Sequence, residues 1–299
     1  MNGRSYLDVI VPDVRRRLAE REARMPLPEL QVLIEAGRAA GQSAGLSAAS
    51  AHGLAAGGPG GRPSFAAALR GRGLAVIAEV KRYSPSKGAI RPDLDVATLA
   101  AAYEAGGAAA VSVLTEEDHF RGGLHDLRAA AGATRLPLLR KDFIVDPYQV
   151  YEARAFGASA VLLIAALLDD AGLRDLVGLA RDLGLDVLLE VHDAGEMERA
   201  LRVEDVVIGV NNRDLRTFEV SLRTSLDLAG MVPPGRVLVA ESGIRDRADV
   251  EALAAAGVDA VLVGESLLRQ GEATEAVSAL VEPPCEVARR SGVGHEGES

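Results

Sequence analysis

Glu79 and Lys81 stand two positions apart in "AEVKRYSPSKG", residues 78 to 88, at the end of a hydrophobic run. On a strand, residues i and i+2 point to one face, so this carboxylate and this ammonium enter the same space. Burying both is costly unless they are paired or used. Other apolar runs end in the same way. "AAAVSVLT" holds Ser112 and Thr115 and is followed by Glu116, "LPLLRK" ends in Lys141, and "LDVLLEV" carries Glu190. "VVIGVNN" carries Asn211 with Arg213 just beyond, and "RVLVAES" ends in Glu241 and Ser242. Lys141 follows Leu139 with the strand period, as Glu190 follows Leu188 and Asn211 follows Gly209, so each shares the face of its neighbour two residues back. A single charge at a strand end is ordinarily a solvated loop residue. Two carboxylates, two ammonium groups, an amide and a guanidinium at one mouth instead suit proton transfer around an anionic substrate.

These residues need a scaffold that gathers strand ends. Eight short β-like runs occur after residue 73: the five above, "LAVIAEVK" ahead of them, "ASAVLLIAA" with no polar end, and "VDAVLVG" ending in Gly264. Between successive runs lie segments such as "DVATLAAAYEAGG", "DPYQVYEARAFGA", "LRDLVGLARDLG" and "DRADVEALAAAG", with apolar residues at intervals of three and four and a glycine near the end. Near-continuous apolar strands alternating with helices predict a parallel sheet covered on its faces, and eight units are the number that closes a (β/α)8 TIM barrel. An open doubly wound sheet is the alternative. In a barrel the site lies at the C-terminal strand ends, and the loops after strands 7 and 8 are the usual phosphate site. Ser242 and Gly243 in "ESGI", with Gly264 and Glu265 in "VGESLL", would offer backbone N–H groups beside helix starts.

At 299 residues the chain fits one large α/β unit. Leu7, Ile10, Val14 and Leu18 predict an amphipathic helix over residues 5 to 24, and a second is expected from Pro28 to about Ala40. Residues 41 to 63, low in charge and rich in Gly, Ala and Ser, read as a linker. The expected division is therefore 1–63 helical extension and linker, 64–282 barrel, and 283–299 disordered tail.

The acidic balance, a formal charge of −10 without a basic run, argues against nucleic acid. One cysteine, Cys285, makes neither a disulfide framework nor a thiolate metal cluster within the chain. No signal-peptide core or membrane span is recognisable, so a cytoplasmic location away from membranes is expected. No histidine pair has zinc-motif spacing on a helix, there is no G-x-S-x-G elbow, and no dinucleotide fingerprint is present. Neither metal nor organic cofactor is expected, and a monomer is the default.

The chain resembles the indole-3-glycerol phosphate synthase family of the tryptophan pathway. The resemblance lies in "IAEVKRYSPSKG", "VSVLTE", "LLRKDFIVDPYQVYEARAFGA", "LLEVHD", "IGVNNRDL", "VAESGI" and "VLVGESLL", spanning residues 77 to 268. The N-terminal helices also look like that family's extension ahead of its barrel. The resemblance implies decarboxylating ring closure of 1-(2-carboxyphenylamino)-1-deoxyribulose 5-phosphate, an anionic sugar phosphate, to indole-3-glycerol phosphate. It further implies Lys141 as the acid on the ketone, with Lys81 as the competing assignment. A second ammonium nearby is expected to lower the donor's pKa. Glu190 and Glu79 would serve as base and acid in dehydration, Lys81 and Arg213 would face the substrate's anionic groups, and Asn211 would orient Glu190 or the sugar hydroxyls. Ser84 would touch ligand, Pro85 and Phe143 would line the anthranilate pocket, and Ser242, Gly243, Gly264 and Glu265 would hold phosphate. A phosphoribosylanthranilate isomerase-like barrel fits less well, since it resembles the chain in fold but uses a cysteine on its first strand. A barrel that only binds sugar phosphates would have no reason to keep these charges.

Overall fold

The computed structural model describes residues 6–45, 63–71, 73–269, 272–283, 286–288 and 290, with backbone alone for 40–45. Eight strands form its centre: β1 Ala75–Val80, β2 Ala110–Leu114, β3 Leu138–Lys141, β4 Ala160–Ile164, β5 Asp186–Val191, β6 Val207–Asn211, β7 Leu238–Glu241 and β8 Ala260–Val263. Each pairs in parallel with the next along the chain, and β8 returns to β1, with Ala75 opposite Ala260 and Ala78 opposite Val263. The sheet is therefore a closed (β/α)8 barrel rather than an open one.

Closure follows from residues that are apolar on both strand faces. Ile77, Leu139, Leu162, Leu188, Val239 and Leu262 belong to one buried cluster within the barrel, while Val76, Val111, Leu163, Leu189, Ile208 and Ala240 belong to another with the helices. Neighbouring positions fall in different clusters, as the two-residue strand period requires. Helix starts are fixed by side-chain caps: Asp95, Asp146, Asp169, Asp193 and Asp246 each accept a hydrogen bond from a backbone N–H of the first turn.

Helix α1 (Leu7–Arg24) buries the four residues whose spacing predicts it. Arg17 makes bidentate hydrogen bonds to Asp118 in the loop after β2, with the shortest at 2.6 Å, and Arg21 donates to Glu152 at 2.7 Å. Glu152 also accepts from the fully buried Arg140 of β3 at 3.1 Å. The extension is thus tied by charge to the wall of the barrel.

Two expectations require correction. Helix α2 runs Leu27–Gly45 rather than ending near Ala40. Its glycines sit among good helix formers, and each costs only about 1 kcal/mol relative to alanine, too little to stop it. Of the expected linker from 41 to 63, residues 41–45 belong to this helix and residues 46–62 lie outside the described residues. The expected disordered tail departs from its reading at 286–288 and 290: Ala288 N–H donates to Ala254 O at 2.9 Å, Val287 packs on the outer cluster, and Arg290 pairs with Asp259 at 3.0 Å. Among the described residues no helix is long and apolar enough to cross a membrane.

Candidate active site

The odd-numbered strands each place one charged side chain inside the barrel mouth. Glu79 on β1, Lys141 on β3, Glu190 on β5 and Glu241 on β7 lie two residues beyond Ile77, Leu139, Leu188 and Val239 of the inner cluster, so all four face inward. Side chains from alternate strands share a layer in this architecture. Here the layer nearest the mouth holds three carboxylates and one ammonium. Lys141 Nζ donates to Glu190 Oε2 at 2.9 Å and lies 3.2 Å from Glu241 Oε2. Lys81 pairs with Glu79, which sets a second cation at the rim.

Asn211 links this layer to the next loop. Its Nδ2 donates to Glu190 Oε1 at 3.1 Å, while its Oδ1 accepts the Arg213 backbone N–H at 3.0 Å, so the two contacts fix the amide's orientation. Two glycines leave the carboxylates room. A Cβ at Gly264 would lie 2.5 Å from a Glu79 oxygen, and one at Gly209 would lie 2.4 Å from a Glu241 oxygen.

The field inside the layer differs from the sequence expectation. Burial alone would lower the Lys141 pKa, but the charges of Glu190, Glu241 and Glu79 reverse that, and the pKa is raised. The expected lowering by a second ammonium is corrected: carboxylates crowd Lys141, and Lys81 is engaged by Glu79. For Glu190, burial is outweighed by Lys141 and His192, so its carboxyl is held well below the usual range. Glu241 moves the other way. Burial, with repulsion from Glu190, lifts it to about 7 against the pull of Lys141.

That shift has a stability consequence. Between about 4.5, where the unfolded chain ionises, and about 7, the folded state holds the proton that the unfolded state has lost. Stability contributed by this group therefore declines as pH rises through that window, by on the order of 3 kcal/mol in total. Glu241→Gln is expected to raise the unfolding free energy at pH 8 and to change it much less at pH 5. Urea melts at both values test this; equal changes at the two would contradict it.

The remaining sequence candidates surround the same cavity. Its lining includes Glu79, Lys81, Lys141, Glu190, Asn211 and Arg213, together with Ser84, Pro85 and Phe143, and also Ser242, Gly243, Gly264 and Glu265. "SPSKG" is a tight hairpin turn, with Tyr83 paired to Ala89 and Ser84 to Gly88. Ser84 and Ser86 hydroxyls lie 3.1 Å apart, and Arg213 donates to Ser86 Oγ at 3.4 Å, joining the first and sixth loops. On the opposite flank Ser242 and Gly243 have φ of 65° and 85°, and Asn212 steadies them by donating to Ser242 O. Glycine suits the second position because it carries no Cβ penalty there. The Glu265 carboxylate is engaged by Arg269 at 2.9 Å.

Ser112, Thr115 and Glu116 are not in the lining. Thr115 bonds Asp142, and Glu116 accepts backbone N–H groups from Asp118, His119 and Phe120, so both shape the loop instead. Sequence reasoning gave no role to Glu241, although its position in "VAES" carried the right parity. It also missed aromatic groups at the mouth: Tyr6 meets Phe218 edge-on at 5.3 Å, and Phe120 lies 6.2 Å from Phe143.

The chain matches the family model described as indole-3-glycerol phosphate synthase over residues 55–280. It is 55% identical over 210 residues to an indole-3-glycerol phosphate synthase of Variovorax paradoxus (strain S110), covering 69% of this chain and 79% of that protein. Among solved structures it is similar to thiamine phosphate pyrophosphorylase from Pyrococcus furiosus, with a TM-score of 0.53 and 18% identity over 69% of this chain and 93% of that one. At that identity the likeness shows the shared fold.

Proposed function

The chain belongs to the indole-3-glycerol phosphate synthase family, and we propose that its charged layer divides that family's reaction among Lys141, Glu190, Glu79 and Lys81. The enzyme closes the indole ring of 1-(2-carboxyphenylamino)-1-deoxyribulose 5-phosphate, giving indole-3-glycerol phosphate, carbon dioxide and water in L-tryptophan biosynthesis. Attack of the carboxyl-bearing ring carbon on the ketone needs a proton on the ketone oxygen. Lys141 supplies it in this reading, being kept protonated by its three carboxylate neighbours. Substrate entering the mouth loosens those contacts and frees the ammonium to donate. Glu241, with a carboxyl near neutrality at 3.2 Å, is placed to hold a proton beside it.

The new carbon–carbon bond leaves the ring carbon quaternary, and departure of carbon dioxide restores the aromatic ring. Lys81 and Arg213 hold the substrate's anionic groups, the former without neutralising the carboxylate so strongly that it stays. Dehydration removes the hydroxyl derived from the ketone and a proton from the adjoining methylene. Glu190, ionised and oriented by Asn211, takes the proton; Glu79 assists at the hydroxyl. Phosphate rests against the backbone N–H groups of Gly243, Gly264 and Glu265 with the Ser242 hydroxyl. Phe143 and Pro85 flank the anthranilate ring, with Ser84 at the rim. A monomer in the cytoplasm completes the reading.

The observation that carries this assignment is the placement of Lys141 within 3.2 Å of both Glu190 and Glu241 at the centre of the layer. Comparing Glu79→Gln with Glu190→Gln tests the ranking. The first is expected to lose about tenfold in kcat and the second at least about a hundredfold; a larger loss at Glu79 would reverse it.

A further inference from the structure

The reaction draws one proton from solvent in each turnover. The substrate carboxylate leaves as neutral carbon dioxide and the ketone oxygen leaves as water carrying two protons. Only one of those two comes from the substrate, at the methylene. The other must reach the charged layer from outside while substrate fills the mouth.

His192 lies on the far side of Glu190 from Lys141. It follows Glu190 by two residues and its Nε2 sits 3.3 Å from Glu190 Oε1, while Lys141 contacts the other oxygen, Oε2. Its Nδ1 is 3.0 Å from Glu196 Oε2, and Glu196 also accepts the His192 backbone N–H at 2.8 Å. The imidazole thus lies between two carboxylates, at ion-pair distance from one in the reaction layer and hydrogen-bonded to one on the helix Ala194–Leu201. Beyond it opens a second cavity of about 400 Å3, lined by His192 with Asp193, Glu196, Arg213, Asp214, Arg216 and Glu219. That polar space has room for several waters. It adjoins the first cavity, sharing Asn211, Arg213 and Leu215 with it, whereas His192, Asp193 and Glu196 line the second cavity alone.

We infer that His192 is a positioning residue that relays the solvent proton inward, from the second cavity through Glu196 and the imidazole to Glu190, and from there to Lys141. Each transfer moves one proton between neighbouring groups: the ring gives one at Nε2 to Glu190 Oε1, at an ion-pair distance of 3.3 Å that must close to hydrogen-bond geometry for the step, and takes one at Nδ1 along the hydrogen bond to Glu196, and no other bond changes. Burial alone would lower the imidazole's pKa, but its two carboxylate partners raise it to about 10, so the relay rests in its loaded form at neutral pH.

This inference rests on Glu190 serving as the base, which wild-type turnover and Glu190→Gln test independently. Two variants test the relay. His192→Gln keeps a hydrogen-bonding side chain that cannot shuttle protons, and His192→Ala leaves space for free imidazole. Both are expected to lose at least about tenfold in kcat with KM within about twofold. Imidazole in the buffer should restore the Ala variant and leave the Gln variant unchanged. A kcat within threefold of wild type for the Gln variant would overturn the relay, as would an Ala variant that folds, is impaired and is not rescued. Should the Ala variant fail to fold, Glu196→Gln replaces it: a loss above threefold in kcat at constant KM supports the relay, and a smaller one overturns it.

Discussion

Lys141→Met is expected to lower kcat by at least about a thousandfold while the folded protein still binds substrate. The side chain is the cation at the centre of three inward carboxylates, and its pKa is raised by them. Methionine keeps the apolar stem but offers no proton to the ketone oxygen, so ring closure itself stops. In a single-turnover experiment neither carbon dioxide nor any ring-closed species should appear. Removing one partner of a buried ion pair ordinarily costs about 3–5 kcal/mol. Here the stranded carboxylates take up protons instead, so the variant should be more stable at pH 6 than at pH 8. Substrate binding by equilibrium fluorescence separates lost chemistry from lost structure. Turnover within tenfold of wild type would remove Lys141 from the acid role.

Glu190→Gln is expected to fail at a later step. Glutamine preserves the size of the side chain and a contact with Asn211, but it cannot accept the methylene proton. In the proposed division of roles ring closure and decarboxylation fall to Lys141 and should persist at a reduced rate, whereas dehydration should slow by at least about a hundredfold. Carbon dioxide should therefore be released faster than indole absorbance grows, and a hydroxylated indoline should accumulate in quenched samples. If carbon dioxide and indole are lost in the same proportion, Glu190 acts before or at ring closure, and the division of roles is wrong.

The barrel was legible because its signal is local. Eight apolar runs with helices between them required a covered parallel sheet, and the spacing of Leu139 to Lys141 or Leu188 to Glu190 assigned a face to each charge. The residues given roles by the family resemblance line one cavity, whereas the polar end of β2, Ser112, Thr115 and Glu116, does not. What the sequence could not reveal was how those charges meet. The lowered Lys141 pKa was expected from Lys81, but closure of the barrel brings the ends of β3, β5 and β7 together and surrounds Lys141 with carboxylates. Glu241 had the correct parity, yet its raised pKa comes from burial in the closed barrel and from the charges of Glu190 and Glu79, 51 and 162 residues away in the chain. His192 carried a readable signal, two residues beyond Glu190 in "LLEVHD", although it takes part in no metal-site spacing. The extension of α2 beyond Ala40 and the docking of residues 286–288 and 290 reflect context that composition does not encode.

The most direct measurement adds 1-(2-carboxyphenylamino)-1-deoxyribulose 5-phosphate to the wild-type protein and follows indole absorbance together with carbon dioxide. Stoichiometric appearance of both, abolished by Lys141→Met, is the predicted result. Folded wild-type protein that binds this compound and releases neither product would contradict the account.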